Sequence, residues 1–232
     1  MSWDAVVLAG GSARRLGGVD KPRVTIGGRT LLERVLAAVD DARGIIVVGP
    51  PRPVPGPRPI IWTREHPLGG GPVAALAAGL ELVRAPLVAV LAADLPFLAA
   101  ETVGALVRAA GGGDDGSDVD GGGDDGSADR AAHGDAPQGA LLVDPPGRHQ
   151  YLAGVWRTGA LRGQLPAVTY GVPLRDVLSG LRTVVLPVDA RTALDCDEPA
   201  DVERARQWAE TPGSEMPGSG APTGRSQARM DG

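Results

Sequence analysis

Asparagine is absent from this 232-residue chain, and cysteine, lysine and phenylalanine occur once each, as Cys196, Lys21 and Phe97. A lone cysteine forms neither an intramolecular disulfide nor a multi-cysteine zinc site, so nothing calls for an oxidising compartment. An excess of positive charge is missing too: the net charge of −5 gives no whole-protein attraction to nucleic acid or anionic lipid. The longest apolar region, 82–100, contains Arg84 and Asp94 and breaks at Pro86 and Pro96, which argues against a membrane span. No basic segment precedes the short apolar run 5–9, unlike a signal peptide. These absences point to a soluble cytoplasmic protein with neither a nucleic-acid nor a membrane partner.

In excess are glycine (35) and proline (21), about a quarter of the chain and roughly twice the ordinary share of ~12%. They gather in a Pro-rich stretch at 50–59, a Gly/Asp-rich insertion at about 111–139, and a tail at 211–232. The insertion holds a near-repeat, GGGDDGSD then GGGDDGSA, without the apolar position that lets calcium-binding nonapeptide repeats stack. It reads as a flexible acidic insertion, and the tail as a flexible extension. One domain over 1–210 remains, long enough to bury a sizeable core.

Within that domain, apolar runs of strand length alternate with helical patterns, the signature of βαβ units and a mostly parallel sheet. Strands are expected at 5–8, 45–48, 60–62, 87–92, 140–143, 151–156 and 183–188. Helices are expected from Thr30, whose spacing to Glu33 is that of a capping box, from Pro72 to about Arg84, over 100–110, 158–165 and 172–181, and from Pro199 to about Glu210. The run 87–92 is continuously apolar, as in a strand covered on both faces.

The most informative segment is LAGGSARRLGGVDKP, residues 8–22. Its glycines let the backbone turn sharply off a strand end and bring N–H groups close to an anion. Arg14, Arg15, Lys21 and Arg23 put four cations into ten residues of an acidic protein, a combination that suits a triphosphate. The spacing is neither that of a Walker loop nor Gly-x-Gly-x-x-Gly. A second segment, Gly69-x-Gly71-x-x-Ala74, matches a permissive dinucleotide fingerprint, but with Pro72 inside it and a late strand before it, a tight turn with close helix–sheet contact is the better reading. Among 22 arginines the one lysine falls in the glycine loop, where a compact ammonium meets a phosphate as a point charge. Asp94 stands at the carboxyl end of a buried strand, where open α/β sheets bind ligands, and a carboxylate there is suited to Mg²⁺ shared with phosphates. Phe97 is expected to pack. His66, His133 and His149 have no metal-ligand spacing and read as surface or loop residues, and Gln150 is a weak acceptor-contact candidate.

Four motifs in order, LAGGSARRLGGVDKP, GGGPVAALAAGL, LAADLPFL and LDCDEPADV, resemble nucleotidyltransferases of the sugar-nucleotide and molybdenum-cofactor type, most nearly the molybdenum cofactor guanylyltransferase family. The resemblance covers about residues 3–210 without the insertion. It implies a Rossmann-like three-layer α/β domain, with helices on both faces of the sheet, that transfers GMP from GTP to molybdopterin and releases pyrophosphate with Mg²⁺ as cofactor. By motif position Leu8, Ala9, Gly10, Gly11, Lys21 and Asp94 would bind the nucleotide. Arg15, Lys21 and Asp94 would be catalytic, with Asp94 on the metal, and Asp195 and Asp197 would face the acceptor. Transient contact with molybdenum cofactor enzymes or biosynthesis proteins belongs to the same expectation. Two departures bear on base selection: Gly49 stands where the family often has asparagine, and the family's aspartate before the Gly-Pro motif has no clear counterpart across Thr63–His66. Alternatives are a molybdopterin cytidylyltransferase, whose loop usually reads Ala-Ala-Gly and lacks the aspartate before the lysine, another NTP-dependent nucleotidyltransferase, or a nucleotide-binding protein without turnover.

Overall fold

The structure, a computed structural model, describes residues 1–10, 17–56, 58–112 and 136–210. Its main sheet has seven strands: β1 (Trp3–Leu8), β4 (Ile45–Val48), β5 (Ile60–Thr63), β6 (Leu87–Ala92), β7 (Gly139–Val143), β8 (His149–Arg157) and β9 (Thr183–Pro187). Their order is β5-β4-β1-β6-β8-β7-β9, and β8 alone runs against the others. A second ladder, β2 (Thr25–Ile26) with β3 (Arg29–Thr30), is a two-residue hairpin closed by Gly27 and Gly28, both at positive φ.

Strand side chains alternate between two buried layers. Ala5, Val7, Ile45, Val47, Ala89 and Leu91 face α1 (Leu31–Ala38) and α3 (Ala100–Gly111). Val6, Ile46, Val48, Val88 and Val90 face α2 (Pro72–Leu80), α4 (Thr158–Gln164) and α5 (Leu174–Leu178). A strand apolar on both faces needs helices on both faces, so the continuous apolar runs dictate three layers. Each fully buried Leu or Val contributes about 1.5–3 kcal/mol relative to exposure. On the α2 side packing is tight enough to require glycine: a Cβ on Gly79 would stand 2.5 Å from a Val6 methyl.

Local signals set the element ends. Thr30 caps α1 with a full capping box, its Oγ1 accepting from the Glu33 amide at 3.2 Å while the Glu33 carboxylate accepts from the Thr30 amide at 2.7 Å. Pro72 opens α2 behind Gly71, at φ 90°, as expected, but α2 stops at Leu80 rather than near Arg84. The reason is Asp4, whose buried carboxylate accepts from the Arg84 and Ala85 amides at 2.7 and 2.9 Å and so draws that segment out of the helix. Helix α5 is likewise shorter than the 172–181 reading: it starts only behind Pro173 and ends at Leu178. Helix α3 continues to Gly111 and β7 opens at Gly139, both inside the range read as an insertion. Residues 113–135, which hold all but the first two residues of the near-repeat, and the tail at 211–232 lie outside the described residues.

A third cluster completes the site's frame. Helix α6 (Pro199–Glu210) lays Val202 and Ala205 against Ile26, Leu31, Leu194 and Cys196. Phe97 packs there as expected, its ring 6.0 Å from that of Trp208 and under the Arg191 guanidinium, 4.5 Å away. This packing carries residues 194–197 alongside the end of β6, where the Cys196 amide donates to the Asp94 carbonyl at 3.2 Å. Burial pushes the Cys196 thiol up to about 12, with the Asp94 charge adding, so the residue is an inert part of the core at neutral pH.

Candidate active site

The strands β1, β4 and β6 end together, and the chain leaves β1 for β4 on one side while β6 pairs on the other. Such a switch point opens a crevice at the carboxyl ends of the strands. Here it holds a cavity of about 900 Å³ whose lining includes Leu8, Gly10, Asp20, Arg52, Glu65 and Asp94.

The nucleotide candidates on β1 are positioned by the ladder itself. The Ala9 amide donates to the Val48 carbonyl at 2.8 Å, and the Leu8 carbonyl accepts from the Ala93 amide at 3.1 Å. Gly10 follows at the cavity wall. Gly49 explains one departure from the family pattern, since any Cβ there would stand 2.7 Å from the Ala9 carbonyl oxygen. The backbone of β4 presses so close to residues 9–10 that an asparagine could not occupy this position without displacing them. Gly11 and Arg15 lie outside the described residues.

Lys21 begins a short 3-10 turn, Lys21–Arg23, and its ammonium reaches two carboxylates. It pairs with Asp94 and, at 2.5 Å, with Asp197. Burial alone would depress the ammonium's pKa, but the charges of Asp94 and Asp197 outweigh it and raise the pKa above the ordinary lysine value. Asp94 follows β6, and its second oxygen, Oδ1, is buried without a hydrogen-bond partner among the described residues. That orphaned oxygen, beside a second carboxylate and at a cavity wall, fits a hard divalent cation. No group of three His, Cys, Asp or Glu side chains converges among the described residues. A cation here would thus take one or two carboxylates and fill its shell with water and phosphate oxygens, the usual habit of Mg²⁺.

The remaining sequence candidates fall in different places. Asp197 stands on Lys21, inside this cluster. Asp195 lies beside it, and its carboxyl is raised above the ordinary range by partial desolvation and then by the charges of Asp197 and Asp94. Gln150 is not before a strand but within β8, its Nε2 3.4 Å from Asp144 Oδ2. His149 also lies in β8, exposed, with its ring edge-on to Tyr151. His66 is exposed, and His133 lies outside the described residues.

Two residues of the cavity escaped the sequence reading. Arg52 clasps Asp20 through two hydrogen bonds, of 2.8 and 2.5 Å, and fixes the start of the Lys21 turn. Glu65 turns its carboxylate into the cavity, with Oε1 accepting from the Gly69 amide at 3.1 Å and Oε2 beside Gly10. The fingerprint glycines serve the same loop as a tight turn: Gly69 and Gly71 both sit at positive φ, 77° and 90°, and between them the Gly70 amide donates to the Pro67 carbonyl at 3.0 Å.

Comparison with known proteins bears on the family and the fold. Curated relatives include a molybdenum cofactor guanylyltransferase of Acidiphilium cryptum, 39% identical over 80 residues that cover 33% of this chain and 40% of that protein. A probable molybdenum cofactor guanylyltransferase of Synechococcus elongatus is 40% identical over 105 residues, 43% of this chain and 54% of the relative. The matched segments thus span about half the relatives' length. Among solved structures, molybdopterin-guanine dinucleotide biosynthesis protein A from Archaeoglobus fulgidus superposes with a TM-score of 0.61 at 19% identity, over 89% of this chain and 98% of the other. The 2-C-methyl-D-erythritol 4-phosphate cytidylyltransferase of Thermus thermophilus does so with 0.60 at 21%, over 91% and 100%, and at these identities the likeness concerns the fold. The model of the MobA-like NTP transferase domain matches residues 5–184, more than three quarters of the sequence, and the chain belongs to that family.

Proposed function

We propose that the protein is a Mg²⁺-dependent nucleotidyltransferase that moves GMP from GTP to the terminal phosphate of molybdopterin and releases pyrophosphate. One observation carries the reading: Asp94, in contact with Lys21, and Glu65 address a single cavity of about 900 Å³ at the ends of β1 and β6. A carboxylate, a phosphate-sized charge contact and a base-edge acceptor are what a metal-bound nucleoside triphosphate requires.

Glu65 supports guanine. Its carboxylate only accepts, and guanine presents two adjacent donors, N1–H and the N2 amino group, whereas cytosine's pairing edge has a single donor group, the N4 amine. With Gly49 unable to supply a side chain, Glu65 is the described residue of the cavity best suited to that edge.

The transfer needs no dedicated general base, since a phosphate monoester with second pKa of about 6 is largely ionised near neutral pH. Its oxygen attacks the α-phosphorus, the bond from that phosphorus to the bridging oxygen breaks, and pyrophosphate leaves. Mg²⁺ held by Asp94, with Asp197 adjacent, would neutralise charge on the phosphate oxygens. Lys21 would place its ammonium on the same oxygens, and the Leu8–Gly10 backbone would seat the nucleoside, so catalysis is positioning plus charge stabilisation.

The test is pyrophosphate release with molybdopterin, Mg²⁺ and each nucleoside triphosphate in turn. GTP is expected to be preferred, and Glu65→Gln to erode the preference over CTP more than it lowers turnover. Preference for CTP would reassign the protein to cytidylyl transfer. Binding without turnover of any nucleotide would reduce it to a binding protein.

A further inference from the structure

The Lys21 ammonium sits between the two carboxylates that a divalent cation would use. It contacts Asp94, beyond the end of β6, and Asp197, ahead of α6, two carboxylates from well-separated parts of the sequence. Lys21 and Asp94 side chains are each 17% exposed, so solvent screens this contact only partly. Two carboxylates and one ammonium leave one net negative charge among these three groups, with the Asp195 carboxyl alongside. A divalent cation approaching the pair meets the ammonium at short range, where partial desolvation strengthens the repulsion. The lysine has another destination: its ammonium carries three donors on a flexible four-carbon stem, suited to swing onto a phosphate.

We propose that Lys21 holds the metal's place, barring divalent cations from Asp94 and Asp197 until nucleotide phosphates draw it away, so that metal and nucleotide load together. The identity of both ligands rests on the nucleotidyltransferase reading. Metal without nucleotide must displace the ammonium from both carboxylates with no phosphate to receive it. Nucleotide without metal leaves the carboxylates uncompensated once the lysine moves. Each ligand therefore raises the affinity for the other by the same factor.

Mn²⁺ serves as the probe, with free Mn²⁺ followed by electron paramagnetic resonance during titration of nucleotide-free protein. Lys21→Gln is expected to bind Mn²⁺ at least ~10-fold more tightly than the wild type, within the roughly 5–150-fold range of ordinary site coupling. Lys21→Arg, which keeps the charge, should bind as weakly as the wild type. Adding Asp94→Asn to Lys21→Gln should remove the gain. Thermal melts establish that each variant is folded, and Lys21→Met replaces Lys21→Gln if the latter is not. A folded, uncharged variant that binds Mn²⁺ no more tightly than the wild type overturns the proposal. GTP binding to the wild type, with and without Mn²⁺, is measured separately. Its absence would sink the nucleotide reading and the joint loading, whereas the Mn²⁺ comparison alone decides whether the lysine and the cation compete.

Discussion

Two aspartates stand at opposite ends of one pair of adjacent strands, Asp4 as the second residue of β1 and Asp94 just past the end of β6. Both are largely buried, and each has one carboxylate oxygen without a hydrogen-bond partner among the described residues. They differ in what holds them. Asp4 accepts from two backbone amides, Arg84 and Ala85, which the sheet keeps in place, and its free oxygen faces a wall: a Cβ on Gly44 would stand 3.1 Å from it. Asp94 is held by a flexible lysine side chain and lines a cavity. An unpartnered buried oxygen is thus not in itself a ligand site. What the oxygen faces, and whether its partner can leave, decides between a structural clasp and a binding group.

Substitution at the two positions should separate these roles, and Asp94→Ala should have the largest effect. Turnover is expected to fall by at least ~10³, since both the metal's carboxylate and a preorganised charge contact are lost. The melting temperature should barely move, because the apolar β6 and the Cys196-to-Asp94 backbone bond remain. Activity near the wild type would remove Asp94 from the mechanism. Lys21→Arg comes next: arginine keeps the charge but carries it on a longer planar fork that must fit between Asp94 and Asp197. A loss of ~10²–10³ in kcat, or about 2.7–4 kcal/mol, is expected, with GTP KM changing no more than kcat. Unchanged kinetics would leave the lysine a mere neighbour of the site. Asp4→Ala should show the opposite profile, a stability loss of about 1–3 kcal/mol for each amide left unpaired and kcat unchanged in the folded fraction, as denaturant melts and active-site-normalised rates would report. A fall in kcat at unchanged stability would erase the distinction between the two ends.

The same contrast governs what the sequence could disclose. Strands covered on both faces announce themselves as continuous apolar runs, and the β6 run at 87–92 was bounded to the residue. The capping box at Thr30 and Glu33 and the proline opening α2 are local and equally readable. Asp94 and Lys21 were legible as chemistry because a charge at a strand end and a lone lysine among arginines are conspicuous. The contact of Lys21 with Asp197 was not, because it joins residues 176 positions apart and depends on how α6 packs. Asp4 is the clearer miss. Nothing within its own segment says that it will cap residues 84–85, so α2 read one turn too long. The β2–β3 hairpin had its Gly27-Gly28 signal, but two-residue strands fall below any periodicity. Glu65 stayed hidden because motif spacing left Thr63–His66 unassigned, and only the fold shows which of those side chains enters the cavity.

A third aspartate offers the exposed version of the contrast and the smallest expected effect. Asp20 precedes Lys21 and is clasped by Arg52, whose side chain is buried although the carboxylate is 43% exposed. The Arg52 hydrogen bond, opposed by partial desolvation and aided by the Arg52 and Arg23 charges, holds the Asp20 carboxyl below its ordinary pKa. A folded-state value below the unfolded one means that stability is present above the ordinary carboxylate pKa of about 3.9 and is lost as pH falls through the lowered folded value. Solvent screening caps such a pair at about 1 kcal/mol, and salt reduces it further. Arg52→Gln should therefore lower the melting temperature by at most about 2–4 °C at pH 7, and the gap should close once acid protonates Asp20 in the folded state. Arg52 also donates to the Pro50 carbonyl at 3.0 Å, a bond indifferent to Asp20 protonation. A gap that persists unchanged in acid would assign the effect to that backbone contact and leave the Asp20 pair without energetic weight.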